Sequence, residues 1–164
     1  MVGLLAVSAG LARATQSSPP RYVPCADVIG QARGPHDLGY RLVLGVMSVP
    51  PAYMPQGAVR VDGFGRWTYW RKTGMVVRGG NFTVVVTVPK AWRSRAAITW
   101  GNGGSPIVSS LRFTGCGNDA STNQWSAYAG GFYLRSRVAC VPLVFRLGDR
   151  SVTVRFGIGT RCPS

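Results

Sequence analysis

Apolar and polar residues alternate with a period of two along much of the chain, which predicts β-strands rather than helices. The clearest example lies near the end, where Val152, Val154, Phe156 and Ile158 alternate with polar residues or glycine. The other runs rich in β-branched and aromatic residues are Gly39–Pro51, Arg66–Lys72, Gly74–Gly80, Asn81–Pro89 and Ala96–Cys116. None of these segments shows a helical period, so we expect an all-β protein.

Turn-forming residues separate these runs. The 22 glycines and 11 prolines are spread along the chain, as is typical of many turns between short strands. Asn102-Gly103 and Gly148-Asp149 suit tight turns, whereas Cys116–Gly131 is predicted to be a long polar loop. Eight or nine strands at short intervals favour an antiparallel two-sheet β-sandwich, either immunoglobulin-like or jelly-roll-like.

The length of 164 residues fits one domain. Residues 1–14 are mostly apolar, and Ala12-Arg13-Ala14 matches the small-x-small pattern before a signal-peptidase cut, although no basic residue precedes the apolar run. We expect a truncated signal peptide or hydrophobic anchor at 1–14, a polar lead-in at 15–24, and a single β-sandwich domain at 25–164. The alternative for the first segment is a packed strand or short helix.

The four cysteines are Cys25, Cys116, Cys140 and Cys162, and no two have C-x-x-C spacing. An even count in a chain with an export signal favours disulfides over a zinc site or free thiols. Three pairings are possible, and we expect Cys116–Cys140 with Cys25–Cys162, the second joining the two ends of the domain. Disulfides and the N-terminal segment together predict an extracellular or cell-envelope location.

The charge is strongly one-sided, with 17 Arg, 2 Lys, 5 Asp and no Glu, a net charge of +14 and a pI near 11.0. A field of this sign attracts polyanions such as nucleic acid, anionic lipid or acidic wall polymers. Codon bias in a GC-rich genome can explain the excess of Arg over Lys. It does not explain the scarcity of acids, so an anionic partner is a working hypothesis.

Arg66–Lys72 combines aromatic and basic side chains, which can stack on sugar rings or bases while the cations hold phosphates. On a regular strand Trp67 and Tyr69 share one face and Trp70 points to the other. Trp125 lies in the predicted long loop. The candidate contact residues are Arg66, Trp67, Tyr69, Trp70, Arg71 and Trp125. The competing interpretation is that these side chains only fill the core and the edge of a sheet.

Catalytic patterns are weak. His36 and Asp37 lie in a turn-like segment, and the remaining aspartates are scattered. The chain contains no phosphate-binding loop, zinc-protease motif or calcium loop. We therefore expect no enzyme, no cofactor and no metal, with a small secreted hydrolase using Asp119 or His36 as the least favoured alternative.

Five segments of the C-terminal half carry a resemblance: Ile98–Gly101, Leu111–Cys116, Tyr128–Leu134, Cys140–Leu143 and Phe156–Cys162. In these segments the chain resembles small uncharacterised exported β-sandwich proteins of high-GC Gram-positive bacteria, the actinobacteria. The resemblance implies an envelope location and carries over no catalytic residue.

These observations predict a non-enzymatic, exported cell-envelope module that binds an anionic partner, either a wall polymer or a membrane surface. One alternative is a basic nucleic-acid-binding protein, which export and disulfides oppose and for which no recognition helix is present. Another is a structural or protein–protein interaction module, which the sequence does not separate from the first.

Overall fold

The computed structural model describes residues 18–102, 105–117 and 124–163. Within these ranges the chain forms fourteen strands, three single-turn 3-10 helices and no α-helix. The strands are β1 (Arg21–Val23), β2 (Gly30–Ala32), β3 (Arg41–Val43), β4 (Met47–Val49), β5 (Tyr53–Met54), β6 (Val59–Arg60), β7 (Tyr69–Lys72), β8 (Met75–Arg78), β9 (Thr83–Thr87), β10 (Ala96–Gly101), β11 (Ser110–Thr114), β12 (Trp125–Leu134), β13 (Ala139–Leu147) and β14 (Arg150–Ile158).

The 3-10 helices are Cys25–Asp27, Asp37–Gly39 and Lys90–Trp92. No helix in the described part of the chain has the length and apolarity needed to cross a membrane. The predicted signal segment, residues 1–14, lies outside the described residues.

The smaller sheet has six strands in the order β1-β11-β9-β13-β14-β5. Its inner pairs are antiparallel, whereas the two edge pairs, β1 with β11 and β14 with β5, are parallel. The first edge strand falls in the segment predicted as a lead-in, and Arg21–Val23 pairs with Leu111–Phe113.

The larger sheet is built around the ten-residue strand β12. β8 and β7 pair with successive halves of one edge of β12, and β2 and β10 pair with the other edge. Gly130 and Gly131 lie at the middle of this strand. A Cβ atom would collide with the carbonyl oxygen of Thr99 at the first position and with that of Arg71 at the second, so close strand approach requires glycine at both.

The main core lies between the two sheets, because alternate residues of each strand point to the facing sheet. The Phe132 ring of β12 lies 5.4 Å, centroid to centroid, from the Phe156 ring of β14. The Phe113 ring of β11 lies at the same distance from the Tyr128 ring of β12. These contacts join the inner faces of the two sheets, and the predicted two-sheet β-sandwich is confirmed.

The predicted number of strands was too low. Gly39–Pro51 was expected to form one strand but forms the hairpin β3–β4, because Leu44 and Gly45 adopt positive φ values of 52° and 74° and reverse the chain. The expected loop Cys116–Gly131 also ends early, since β12 begins at Trp125. Several two- and three-residue edge strands account for the rest of the difference.

Disulfides were expected and are present, but the predicted pairing was wrong. The structure joins Cys25 to Cys116 and Cys140 to Cys162, with Cα–Cα distances of 5.7 and 5.1 Å. The parallel pairing of β1 with β11 brings together the residues that follow each strand. The antiparallel pair β13–β14 likewise places Cys140 opposite Gly157, near the segment that follows β14. Disulfides are typical of an oxidising environment outside the cytoplasm.

Candidate ligand-binding site

A second apolar cluster covers part of the outer face of the larger sheet, separate from the main core. Trp67, Ala97 and Tyr133 are buried in it, and three partly buried side chains pack against them. We call this set the outer aromatic cluster: Val61, Trp67, Trp70, Ala97, Ile107 and Tyr133. An apolar outer face is unusual for an antiparallel sheet whose other face already lines a core.

Strand register assembles the cluster. Tyr133 of β12 lies directly opposite Trp70 of β7 and Ala97 of β10. The Trp70 and Tyr133 rings stack at a centroid distance of 6.1 Å, and the Phe64 ring lies 5.1 Å from the Tyr133 ring. Trp67 joins the cluster from the turn that precedes β7, in which its backbone N–H donates to the Phe64 carbonyl at 3.2 Å. The segment before β7 therefore folds over the sheet and covers it.

The predicted arrangement of the three aromatic residues was wrong. Trp67 and Trp70 lie in the same cluster, whereas Tyr69 packs against the main core on the opposite face of the sheet. The alternation rule fails here because β7 begins at Tyr69 and Trp67 lies in the preceding turn. Trp67 is only 8% exposed, so most of its ring contacts protein rather than solvent.

The two predicted arginines also separate. The Arg66 guanidinium carbon lies 4.6 Å from the centroid of the Trp67 ring, and Nη2 donates to the Arg93 carbonyl at 3.2 Å. Arg71 pairs in register with Phe132, a residue of the main core, and its Nη2 donates to Oε1 of Gln56 at 3.3 Å. Arg66 therefore contacts the outer aromatic cluster, whereas Arg71 is held by Gln56 instead.

Trp125 lies far from the other predicted contact residues. It is 4% exposed and opens β12, paired with Ala32 and Arg78. Eight residues of extended strand separate it from Tyr133, which corresponds to roughly 26 Å. The structure thus brings Arg66, Trp67 and Trp70 together and leaves Tyr69, Arg71 and Trp125 elsewhere.

A cleft of about 190 Å³ adjoins the outer aromatic cluster. It is lined by Trp70, Lys72, Thr99, Asn102, Ser105, Ala129, Gly130 and Tyr133. We call it the aromatic cleft. Its walls combine ring faces with hydroxyl, amide and ammonium groups, a mixture that suits a ligand bearing hydroxyl groups and negative charge.

Two polar atoms in the aromatic cleft are buried without a hydrogen-bond partner among the described residues. They are Nε1 of Trp70 and Oγ of Ser105. Neighbouring groups are engaged, since Thr99 Oγ1 donates to the Ser105 carbonyl at 3.2 Å and Asn102 Nδ2 donates to Asp27 Oδ1 at 2.8 Å. Buried polar atoms without partners cost free energy, and a bound ligand or water that pairs with them offsets this cost.

Burial raises the pKa of the Tyr133 phenol, so this group stays protonated at neutral pH and can donate a hydrogen bond. Lys72 is exposed and lies opposite Gly131 in the register of β7 and β12. The aromatic cleft therefore offers hydrogen-bond donors and one cation at neutral pH. Both features favour an electron-rich or anionic ligand.

Few carboxylates neutralise the cations. Among the described residues, the single ion pair joins Arg60 Nε to Asp62 Oδ1 at 3.9 Å, and both side chains are exposed. Asp27 accepts from Asn102, and Asp37 accepts from the backbone N–H of Arg33 at 2.6 Å. The other arginines in the described ranges therefore keep their charge without an ion pair to a described carboxylate.

His36 and Asp37, two of the residues considered for catalysis, do not line the aromatic cleft. The Nδ1 atom of His36 lies 3.2 Å from the Tyr40 carbonyl oxygen, and Oδ2 of Asp37 accepts from the backbone N–H of Arg33. Asp119 lies outside the described residues. In the described part of the chain, no three residues of the types His, Cys, Asp and Glu lie close enough together to hold a metal ion.

The sequence prediction missed Phe64 and Ser105, which reach the cluster or its cleft from outside the strands, and Thr99, which lies on β10 opposite Gly131. The sequence alternation could have identified Tyr133 and Ala97 as residues of the outer face, because each is adjacent to a core residue on its strand and must therefore face outward. An aromatic residue at such a position indicates that the outer face is covered. Comparison with protein-family models and with curated protein sequences found no match.

Proposed function

We propose that this protein is a non-enzymatic, exported module of the cell envelope that binds an anionic wall polymer. Its binding surface consists of the aromatic cleft, whose lining includes Lys72, and the adjoining outer aromatic cluster, where Arg66 lies over Trp67. Charge provides most of the attraction, and the aromatic and hydroxyl groups of the cleft orient the polymer units.

The observation that carries this proposal is the scarcity of ion pairs in the described part of a chain whose net charge is +14. Arg60 and Asp62 form the one ion pair of the described residues. Unpaired cations repel one another and lower the stability of the folded chain. An external polyanion relieves that repulsion, and the contact of Arg66 with the Trp67 ring keeps one cation at the outer aromatic cluster.

A hydroxyl-bearing polymer fits the site better than a membrane surface does. Membrane-surface proteins insert a continuous apolar patch. Here the exposed large apolar side chains are distributed over different strands, for example Tyr22 on β1, Leu42 on β3, Val59 on β6 and Val152 on β14. The two disulfides support the exported location, because such bonds persist in oxidising compartments.

The test is co-sedimentation of the purified protein with cell-wall fragments across a salt series. We expect saturable binding that weakens steeply with salt but survives competition by double-stranded DNA. Anionic lipid vesicles serve as a second competitor. Binding that DNA abolishes would contradict a wall receptor and favour the nucleic-acid alternative, and preferential binding to vesicles would favour a membrane surface.

A charge-matched pair of variants locates the site. Arg66→Gln with Lys72→Gln removes one cation from the outer aromatic cluster and one from the aromatic cleft, and we expect wall affinity to fall about tenfold or more. Arg33→Gln with Arg150→Gln removes the same charge from exposed positions elsewhere. Equal losses for both double variants would mean that binding follows net charge and that the aromatic cleft is not the site.

A further inference from the structure

Three arginines meet in a second cleft, at the seam where β3 of the larger sheet faces β5 and β14 of the smaller one. Its volume is about 430 Å³. It is lined by Arg41, Ala52, Tyr53, Thr153, Val154, Arg155, Arg161, Cys162 and Pro163. It shares no residue with the aromatic cleft, and we call it the arginine cleft.

Neutral groups hold the three guanidinium groups in place. Arg41 donates through Nε to the Pro50 carbonyl at 3.2 Å and through Nη2 to the carbonyl of Arg155 at 3.5 Å. Its guanidinium carbon lies 5.3 Å from the centroid of the Phe156 ring. These contacts fix the orientation of Arg41 and leave its charge uncompensated.

The other two arginines are positioned in the same manner. Arg155 donates through Nη1 to the Pro163 carbonyl at 3.4 Å, and the Arg161 guanidinium carbon lies 4.7 Å from the Tyr53 ring centroid. No described carboxylate forms an ion pair with any arginine of this cleft. Arginine stays protonated at neutral pH, so three positive charges share the cleft.

The backbone around the arginine cleft is tied at several points. Cys162, next to Arg161, is bonded to Cys140 of β13, so the segment after β14 cannot move away from the sheet. The backbone N–H of Gly157 donates to the Ala52 carbonyl at 2.8 Å, and that of Gly159 donates to the Met54 carbonyl at 2.9 Å. The cleft is therefore preorganised, which lowers the entropic cost of binding.

We propose that the arginine cleft binds a phosphate group. An arginine carries five N–H donors in a planar fork, and the described hydrogen bonds use only two from Arg41 and one from Arg155. Three forks match the several oxygens of a tetrahedral oxyanion better than the two oxygens of a carboxylate. This inference does not depend on the aromatic cleft being a polymer site.

The probes are inorganic phosphate, a free anion, and dimethyl phosphate, which represents the diester links of a polymer. Each is titrated into the full chain at constant ionic strength, with chloride as the reference, while NMR follows the arginine Nε–Hε signals. We expect saturable shifts for Arg41, Arg155 and Arg161, and no saturable shift for Arg150, which lies outside the cleft. Stronger binding of inorganic phosphate assigns the site to free phosphate or monoesters, and equal or stronger binding of dimethyl phosphate assigns it to diesters.

Two variants at one exposed position test the geometry. Arg155→Gln removes both the positive charge and the planar fork of N–H donors, and it should weaken phosphate binding by about tenfold or more. Arg155→Lys keeps the charge but lacks the fork, so it should recover only part of the affinity. Arg150→Gln is the control for loss of charge alone and should leave the affinity unchanged. Non-saturating shifts with both probes, or equal weakening by Arg155→Gln and Arg150→Gln, would overturn the proposal.

Discussion

The outer faces of the two sheets differ sharply although both belong to one sandwich. On the larger sheet, Tyr133, Trp70 and Ala97 lie side by side and are covered by the segment that precedes β7. On the smaller sheet, Arg112 and Arg146 flank Val85 in register across β11, β9 and β13, and both arginines are exposed. One outer face is packed like a core and the other is solvated.

The difference shows what strand alternation can and cannot reveal. A period of two separates residues that face the main core from those that face away. Whether the outward residues meet water depends on the loops that return across the sheet. Aromatic residues at outward positions indicate a covered face, and long charged ones indicate a solvated face with their stems lying along the sheet.

The largest expected effect concerns the cross-links, both of which join strands or strand ends of the smaller sheet. Replacing Cys25 and Cys116 by serine opens a loop of 91 residues, and replacing Cys140 and Cys162 opens one of 22. Chain entropy then predicts losses of about 4.6 and about 3.4 kcal/mol in the free energy of unfolding. Chemical denaturation of both double variants measures the two losses. A larger loss for the variant without Cys140 and Cys162, which opens the shorter loop, would contradict the chain-entropy prediction.

The second largest effect is expected on the covered outer face of the larger sheet. Trp67→Ala removes a ring that is 8% exposed and should lower the free energy of unfolding by about 2–4 kcal/mol. An effect below about 0.5 kcal/mol would show that the outer aromatic cluster is a surface feature and not a second core. Trp67→Phe is the matched control, because it keeps an apolar ring in the same place.

The pH dependence of stability offers a third comparison, because the main core and the outer aromatic cluster each contain a buried tyrosine, Tyr128 and Tyr133 respectively. Desolvation, with smaller contributions in the same direction from the nearby Tyr22 and Asp27, raises the pKa of Tyr128 to about 12. The folded state therefore favours the neutral phenol, and this stabilisation is complete below pH 10 and is lost as the pH rises toward 12. Between pH 9 and 11.5 the group should account for about 2 kcal/mol of lost stability.

Denaturant unfolding of Tyr128→Phe checks this value, since the variant should lose correspondingly less stability over the same pH range. Burial also raises the pKa of Tyr133, so Tyr133→Phe should reduce the alkaline loss as well, although by less. An unchanged pH profile in Tyr128→Phe would mean that another group causes the alkaline destabilisation.

The smallest effect is expected on the solvated face. Arg112→Gln removes an exposed charge whose guanidinium carbon lies 5.4 Å from the exposed Tyr22 ring. The free energy of unfolding should change by no more than about 0.5 kcal/mol. A loss as large as that of Trp67→Ala would mean that the two outer faces contribute alike to stability.

Local patterns in the sequence were sufficient for the fold class. Alternation in β13 and β14 predicted strands whose inward residues, such as Val154 and Phe156, fill the core, and the even number of cysteines predicted disulfides. These features depend on neighbouring residues or on composition, so a linear sequence expresses them directly.

The tertiary structure alone decided how distant segments meet. The parallel edge pair of β1 and β11 determined the partner of Cys25, and a turn before β7 placed Trp67 beside Trp70 instead of beside Tyr69. The arginine cleft joins Arg41 to Arg155 and Arg161, which are more than a hundred residues away along the chain. The sequence by itself determined which residues can be core, cross-link or cation. Strand order and register determined which of them became neighbours, because these long-range contacts depend on the packing of the whole chain.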